Sequence, residues 1–162
     1  GPRRYVRAMP WNPPEIPASA GALLFDRSGR LLILEPTYKS GWTIPGGAME
    51  ADGESPWDGC RREVLEETGL VVTSGHLVIV DTRPGKLERK LGLRFLFDCG
   101  TLDDKQIASI RLQADEIASH RFAERDEALA LLSKPVGRRV AHGWGAPHCL
   151  YLENGRPVDG VN

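Results

Sequence analysis

Short apolar runs separated by turn residues predict buried strands in the first third of the chain. Ala18 to Asp26 and Leu31 to Leu34 are mostly apolar, and the segment Arg27-Ser28-Gly29-Arg30 between them has the composition of a turn. This pattern predicts a hairpin of two buried strands. A further short strand is predicted from Gly41 to Ile44, directly before Pro45-Gly46-Gly47.

Extended segments also occupy the middle of the chain. From Leu91 to Asp98 an apolar residue stands at every second position, which is the period of a half-buried strand. A turn is predicted at Arg83-Pro84-Gly85-Lys86 before it. The other extended segments predicted here are Val71 to Thr73, Leu77 to Thr82 and Ser109 to Leu112.

A helix is predicted from Pro56 to Thr68. Ser55 is a favourable N-cap, Pro56 suits the first helical position, and Asp58 stands where a capping-box acid would reach back. Gly69 is the expected left-handed residue that ends the helix.

The last third of the chain predicts two more helices and a small hairpin. The helices are Arg125 to Leu132, which has an apolar face, and Pro135 to Ala141. The hairpin joins Cys149 to Glu153 and Arg156 to Val158 through an Asn-Gly turn. The glycine-rich stretch from residue 141 to 148 is either an irregular loop or a lid whose Trp144 stacks on a base.

Residues 1–17 and residues 18–162 differ in composition. The first segment combines arginines with Pro10, Pro13, Pro14 and Pro17, which predicts an extended arm, and Gly1-Pro2 resembles the scar of a cleaved tag. Residues 18–162 have the size of one domain with its own core. The arm also makes a homodimer a plausible assembly.

The composition excludes few functions. A net charge of −1 gives no general argument for binding nucleic acid or a membrane, and no apolar run approaches the length of a membrane span. The three widely spaced cysteines form no zinc or disulfide pattern, so reduced thiols in the cytoplasm are expected.

The predicted helix 56–68 carries a cluster of carboxylates. Glu63, Glu66 and Glu67 lie at positions i, i+3 and i+4, so they share one helix face. Two carboxylates about 6 Å apart repel by about 3 kcal/mol at an effective dielectric constant near 20. The cluster is therefore either a solvated acidic face or a site for a divalent cation, and hard oxygen ligands favour Mg²⁺ or Mn²⁺.

The surrounding residues favour the cation site. The run from Arg62 to Leu70, with Glu54 eight residues before Arg62 and Pro45-Gly46-Gly47 ahead of it, resembles the signature sequence of the Nudix hydrolases. One departure is visible, because six residues separate Gly47 from Glu54 where the family usually has five. We interpret this as a one-residue insertion between Glu50 and Gly53.

The resemblance implies both a fold and an activity. The fold is the Nudix fold, an α+β structure with a mixed β-sheet sandwiched between helices. The activity is Mg²⁺-dependent hydrolysis of the diphosphate linkage in a nucleoside diphosphate derivative, such as a nucleoside triphosphate, ADP-ribose or a nucleotide sugar. A capped RNA end contains the same linkage.

The resemblance also implies roles for individual residues. Glu63, Glu66 and Glu67 would bind the metal together with the carbonyl of Gly47. Asp115 to Phe122 resembles the family's penultimate strand, and its Glu116 is the candidate for a catalytic carboxylate from outside the signature. Either Glu63 or Glu116 would be the base.

Further residues are assigned supporting roles. Arg62 would orient the carboxylates through ion pairs, with Glu54 as a candidate partner. Arg83 and Lys86 are candidates for binding substrate phosphates, although a solvated hairpin tip would also explain them. Trp144 is the candidate for stacking on a base.

Two other functions are compatible with the same fold. One is a sensor that binds a nucleotide or sugar phosphate without hydrolysing it, although Glu54, Glu63, Glu66 and Glu67 are all retained here. The other is an isomerase of isoprenoid diphosphates, whose additional acid and cysteine are not apparent.

Overall fold

The computed structural model describes residues 11–162. Residues 1–10, which include Gly1-Pro2 and all three arginines of the predicted arm, lie outside this range. Residues 11–17 contain no helix or strand, and the first strand begins at Ala18.

The described part of the chain alternates strands with a few helices. The strands are β1 (Ala18–Phe25), β2 (Leu31–Pro36), β3 (Gly46–Ala48), β4 (His76–Arg83), β5 (Gly92–Thr101), β6 (Ile117–Ala123), β7 (Leu150–Glu153) and β8 (Arg156–Pro157). The helices are α1 (Pro56–Thr68), α2 (Asp104–Ala108), α3 (Arg125–Leu131) and α4 (Lys134–Gly143).

The strands form one mixed sheet in the order β6-β2-β1-β5-β4-β7-β8, and β3 pairs with the beginning of β1. The pairs β1–β5 and β4–β7 are parallel, and the other pairs are antiparallel. Strand β1 is therefore paired along both edges, next to β3, which we call the glycine segment (Gly46–Ala48), on one side and β5 on the other.

Both faces of the sheet are covered, which explains why β1 and β2 read as continuous apolar runs. Successive side chains of a strand point to opposite faces. Ala22 and Leu24 pack with Val64 of α1, whereas Leu23 packs with Val140 of α4 and its neighbours. All of these side chains are buried, and full burial of a Leu or Val contributes about 1.5–3 kcal/mol.

Three predicted extended segments differ from the structure. At 41–44 the chain makes only isolated bridges through Trp42 and Thr43, and the strand is formed by Gly46–Ala48 instead. Neither 71–73 nor 109–112 is a strand. Backbone partners explain the second case, since the Arg111 amide donates to the Thr68 carbonyl at the end of α1.

Helix α2 was not predicted from the pattern. It is only five residues long, and its start is fixed by a capping box in which Asp103 and Gln106 bond to each other's backbone amides. The terminal hairpin was predicted correctly, since Asn154 and Gly155 both have the positive φ angles of a type I′ turn (52° and 74°).

Candidate active site

Helix α1 begins and ends where its capping residues predict. The Ser55 hydroxyl accepts a hydrogen bond from the Asp58 amide, and Gly69 has a left-handed conformation (φ 76°). The helix lies against β1 and β3, so Glu63 and Glu67 of its second half face Gly46 and Gly47. Of these carboxylates, Glu67 is the most buried, with 7% of its surface exposed.

The glycine segment contacts two of the carboxylates directly. The Gly46 amide donates a hydrogen bond of 2.8 Å to Glu67 Oε1. A Cβ atom at Gly47 would lie 2.5 Å from Glu63 Cδ, so only glycine allows this close approach. Strand β3 holds both glycines in place because Gly46 and Gly47 pair with Gly21 and Ala20 of β1.

The extra residue before Glu54 is accommodated in an exposed turn. Residues 51–53 form this turn, and Gly53 supplies its positive φ of 90°. Glu54 Oε1 accepts a hydrogen bond of 2.9 Å from the Glu50 amide and so closes the turn. Gly47 therefore keeps its place beside Glu63.

Arg62 connects most of the acidic residues of the site. Its Nε and Nη2 atoms donate to the two oxygens of Glu54 at 2.7 and 3.0 Å, and Nη2 also donates to the Ala48 carbonyl. Its Nη1 atom donates to Glu63 and Glu66 at 3.0 and 3.1 Å. This arrangement holds the pKa of Glu54 below its usual value, chiefly through the hydrogen bond from Arg62.

Within the described part of the chain no cation pairs with Glu67, and its environment opposes ionisation. Burial, aided by the charges of Glu63, Glu116 and Glu66, raises the pKa of Glu67 to about 8 although the Gly46 amide favours the ionised form. Burial also raises the pKa of Glu63, against the effect of Arg62. Negative charge is therefore under-compensated around these two carboxylates.

The oxygen donors suit a hard divalent cation, but the site is not preassembled. Among residues 11–162, no three acidic, histidine or cysteine side chains are gathered closely enough to hold a metal ion. Arg62 Nη1 lies between Glu63 and Glu66, and the Gly46 amide holds Glu67. The donor types fit Mg²⁺ or Mn²⁺, and binding requires the carboxylates to turn away from these partners.

Glu116 and Trp144 lie in different surroundings. Glu116 is exposed just before β6, close enough for its charge to raise the pKa of both Glu63 and Glu67. Trp144 is partly buried and packs edge-on against Phe25 at 5.3 Å between ring centres, next to the core beneath α4. Its stacking on a base stays a prediction.

A cavity of about 200 Å³ opens beside Glu67. Gly46, Gly47 and Glu67 form one part of its wall, and apolar residues of β1 and β5 form its floor. Four residues that sequence reasoning did not select also line it: Tyr38, Lys39, Arg94 and Arg139. Only Arg94 had a local signal, as a charged residue within the apolar alternation of β5.

A family model described as the NUDIX domain matches residues 15–142. The chain belongs to the Nudix hydrolase family. Its motif and its mixed sheet between helices are thus explained together, and the sequence-based predictions of family and fold are confirmed. In the described range of this Nudix domain, every helix is too short or too polar to cross a membrane.

Two similar proteins support the family assignment, and each matches a different length of this chain. A MutT-like protein of Streptomyces ambofaciens is 39% identical over 66 residues, which are 41% of this chain and 42% of that protein. Nudix hydrolase PA4841 of Pseudomonas aeruginosa is 32% identical over 119 residues, 66% of this chain and 62% of that protein. The chain thus spans between about two fifths and three fifths of these relatives.

A solved structure supports the fold independently. The NUDIX domain of Shewanella oneidensis NrtR, solved with ADP ribose, superposes with a TM-score of 0.65. The alignment covers 82% of this chain and 90% of that one at 13% identity. At this identity the likeness establishes the Nudix fold.

The raised pKa of Glu67 predicts how stability depends on pH without metal. Between its ordinary pKa of 4.5 and about 8, folded Glu67 retains a proton that the unfolded chain has lost. The free energy of unfolding should therefore fall as pH rises through this interval, by an amount on the order of 2–4 kcal/mol from this group. Melting curves in EDTA would measure it as the difference between the wild type and Glu67→Gln. A difference that is constant with pH would contradict the assignment.

Proposed function

We propose that the chain hydrolyses the diphosphate linkage of a nucleoside diphosphate derivative with the help of Mg²⁺. The observation that carries this proposal is the buried carboxylate of Glu67, which lines a cavity beside Gly47 and Glu63 and has no cationic partner among residues 11–162. Ionising a buried acid of this kind costs free energy unless a cation binds beside it. Membership of the Nudix family supports the same chemistry.

The glutamates of α1 supply the proposed metal ligands. Glu63, Glu66 and Glu67 would hold the ion together with the backbone carbonyl of Gly47. Bound there, Mg²⁺ would neutralise charge on the diphosphate and lower the pKa of a bound water. Mn²⁺ has the same preference for oxygen donors and should substitute for it.

The base is a carboxylate with an environment suited to accepting a proton. Glu63 is half-buried beside Gly47, and its raised pKa lies nearer to neutrality than that of an exposed glutamate. Glu116 is the second candidate, because it lies directly before β6, and its charge acts on both Glu63 and Glu67. Arg62 and Glu54 would act on the position of Glu63 and Glu66 through their ion pairs.

A panel of substrates with and without Mg²⁺ tests the proposal. It should include nucleoside triphosphates, ADP-ribose, nucleotide sugars, dinucleoside polyphosphates and capped RNA, with products resolved by chromatography. We expect Mg²⁺-dependent cleavage between two phosphorus atoms of at least one member. Binding of a panel member without any turnover would contradict hydrolysis and favour the sensor.

Metal binding should also stabilise the folded protein. A ligand at one hundred times its dissociation constant adds about 2.7 kcal/mol to the free energy of unfolding, or about 5–10 °C in melting temperature for a domain of this size. We expect such a rise with Mg²⁺, and a much smaller one in Glu66→Gln. Equal shifts in both proteins would place the ion elsewhere.

A further inference from the structure

A second cavity, of about 410 Å³, adjoins the cavity beside Glu67. The two share four wall residues: Lys39, Arg94, Val136 and Arg139. The second cavity continues toward the loop between β4 and β5 and the start of α4. One elongated molecule can therefore occupy both cavities at once.

The wall of the second cavity is strongly cationic. Among residues 11–162, the wall contains six basic residues and a single carboxylate, Asp81; the basic residues are Lys39, Arg83, Lys86, Arg89, Arg94 and Arg139. Asp81 is buried, and both of its oxygens are already engaged. Arg139 Nη1 donates to Oδ2 at 3.2 Å, and the Gly155 amide donates to Oδ1 at 2.9 Å. Within the described range, no carboxylate lies within salt-bridge distance of any other cation in this wall.

Two of these cations, Arg83 and Arg89, have unmet hydrogen-bonding capacity. The Nε atoms of Arg83 and Arg89 are shielded from solvent, yet neither has an acceptor within the described part of the chain. Burial and the nearby charges of Arg139 and Arg83 lower the pKa of Arg94. Like charges and unfilled donors around one concavity indicate that an anion belongs there.

A purely structural role accounts for only part of this set. Arg139 joins α4 to β4 through Asp81, which is a sufficient reason for its presence. A solvated hairpin tip would explain the exposed Lys86. Arg89 is anchored in the same hairpin, because its Nη2 atom donates to the Pro84 carbonyl at 2.8 Å. Neither explanation applies to Arg83 and Arg94, which are half-buried around the cavity.

We infer that this second cavity binds a phosphate group of the substrate other than the two joined by the cleaved linkage. The inference rests on the proposed function, which places the cleaved diphosphate beside Glu67. Arginine guanidinium groups bind phosphate directly through paired hydrogen bonds. The preferred substrate is thus a nucleotide with an additional phosphate, carried either on a ribose hydroxyl or on a longer polyphosphate chain.

Matched substrate pairs test this inference and distinguish the two sources of the phosphate. NADPH against NADH, and coenzyme A against dephospho-coenzyme A, differ by one ribose phosphate. Diadenosine tetraphosphate against diadenosine diphosphate differs in chain length. We expect kcat/KM to favour the more phosphorylated member of at least one pair by about 10-fold or more.

Substitutions in the cavity should remove this preference. In Arg83→Gln and in Lys86→Gln the kcat/KM ratio of that pair should fall toward unity. Lys86 is exposed, so its substitution leaves the core intact and keeps the test valid if Arg83→Gln folds poorly. Arg27→Gln, an exposed arginine beside Asp104 and outside both cavities, should keep the wild-type ratio. Ratios near unity in every wild-type pair, or ratios that the cavity variants leave unchanged, would overturn the inference.

A binding measurement without metal separates this inference from the proposed function. In EDTA, tripolyphosphate should raise the melting temperature of the wild type and of Glu63→Gln, but not that of Arg83→Gln. If the protein hydrolyses a substrate but shows no preference within the pairs and does not bind tripolyphosphate in EDTA, the phosphate pocket is rejected and the proposed hydrolysis is retained. Metal-free binding without turnover of any substrate would reject hydrolysis and leave an anion pocket.

Discussion

Glu63→Gln is expected to lower kcat/KM by about 10³-fold or more on the best substrate at saturating Mg²⁺. The substitution keeps the size of the side chain but removes its negative charge. It would thereby remove a ligand of the metal and the favoured base together. The Arg62 contact at 3.0 Å can persist with an amide oxygen, so the fold should be retained.

The control for this prediction is Glu124→Gln. Glu124 is exposed at the start of α3, and its side chain makes no capping hydrogen bond there. Its substitution should leave kcat/KM within about twofold of the wild type, as surface changes usually do. Circular dichroism would check that both variants are folded. Turnover by Glu63→Gln at the wild-type rate would show that Glu63 is neither a needed metal ligand nor the base.

Alanine at the two neighbouring glycines should separate damage to the fold from damage to the site. A Cβ atom at Gly46 would lie 2.5 Å from the Ala20 carbonyl oxygen and 2.6 Å from Gly21 Cα, which are fixed backbone atoms of β1. Gly46→Ala should therefore cost about 2 kcal/mol or more in the free energy of unfolding.

Gly47→Ala should act mainly on activity. The three atoms nearest to the added Cβ atom all belong to the carboxylate of Glu63, which is the end of a flexible side chain. We expect it to swing aside, with a small loss of stability and a fall in kcat/KM of about 10²-fold, because small misplacements at a reacting centre have effects of that size.

Gly137→Ala supplies the matched control for both glycine variants. Gly137 lies within α4, and a Cβ atom there would make only contacts of 3.8 Å. Alanine also favours a helix over glycine, so this variant should be as stable as the wild type or slightly more so. Chemical denaturation and kcat/KM would be measured for all three proteins. Equal losses of stability at Gly46 and Gly47 would contradict the distinction.

Local signals made the centre of the site predictable. Ser55 and Gly69 define α1 through contacts with its own backbone, so the spacing of Glu63, Glu66 and Glu67 on one face follows from sequence alone. The resemblance to the family signature also predicts the ion pair between Arg62 and Glu54, whose Nε and Oε2 atoms lie 2.7 Å apart. The catalytic roles of these residues remain predictions.

Features that depend on distant partners were missed. The segment Gly46–Ala48 has no side-chain pattern of a strand, and it becomes one because β1 offers it an edge. Arg94 and Arg139 lie on β5 and α4, and only the folded chain brings them to a common wall. No periodicity within either element indicates that they meet.

Manganese binding followed by electron paramagnetic resonance would test the central claim most directly. The signal of free Mn²⁺ is lost on binding, so the titration counts sites without depending on any substrate. The account predicts that wild-type protein binds Mn²⁺, that Mg²⁺ displaces it, and that Glu66→Gln and Glu67→Gln each weaken binding about 10-fold or more while Glu124→Gln does not. Identical titrations for the wild type and both cluster variants would contradict it.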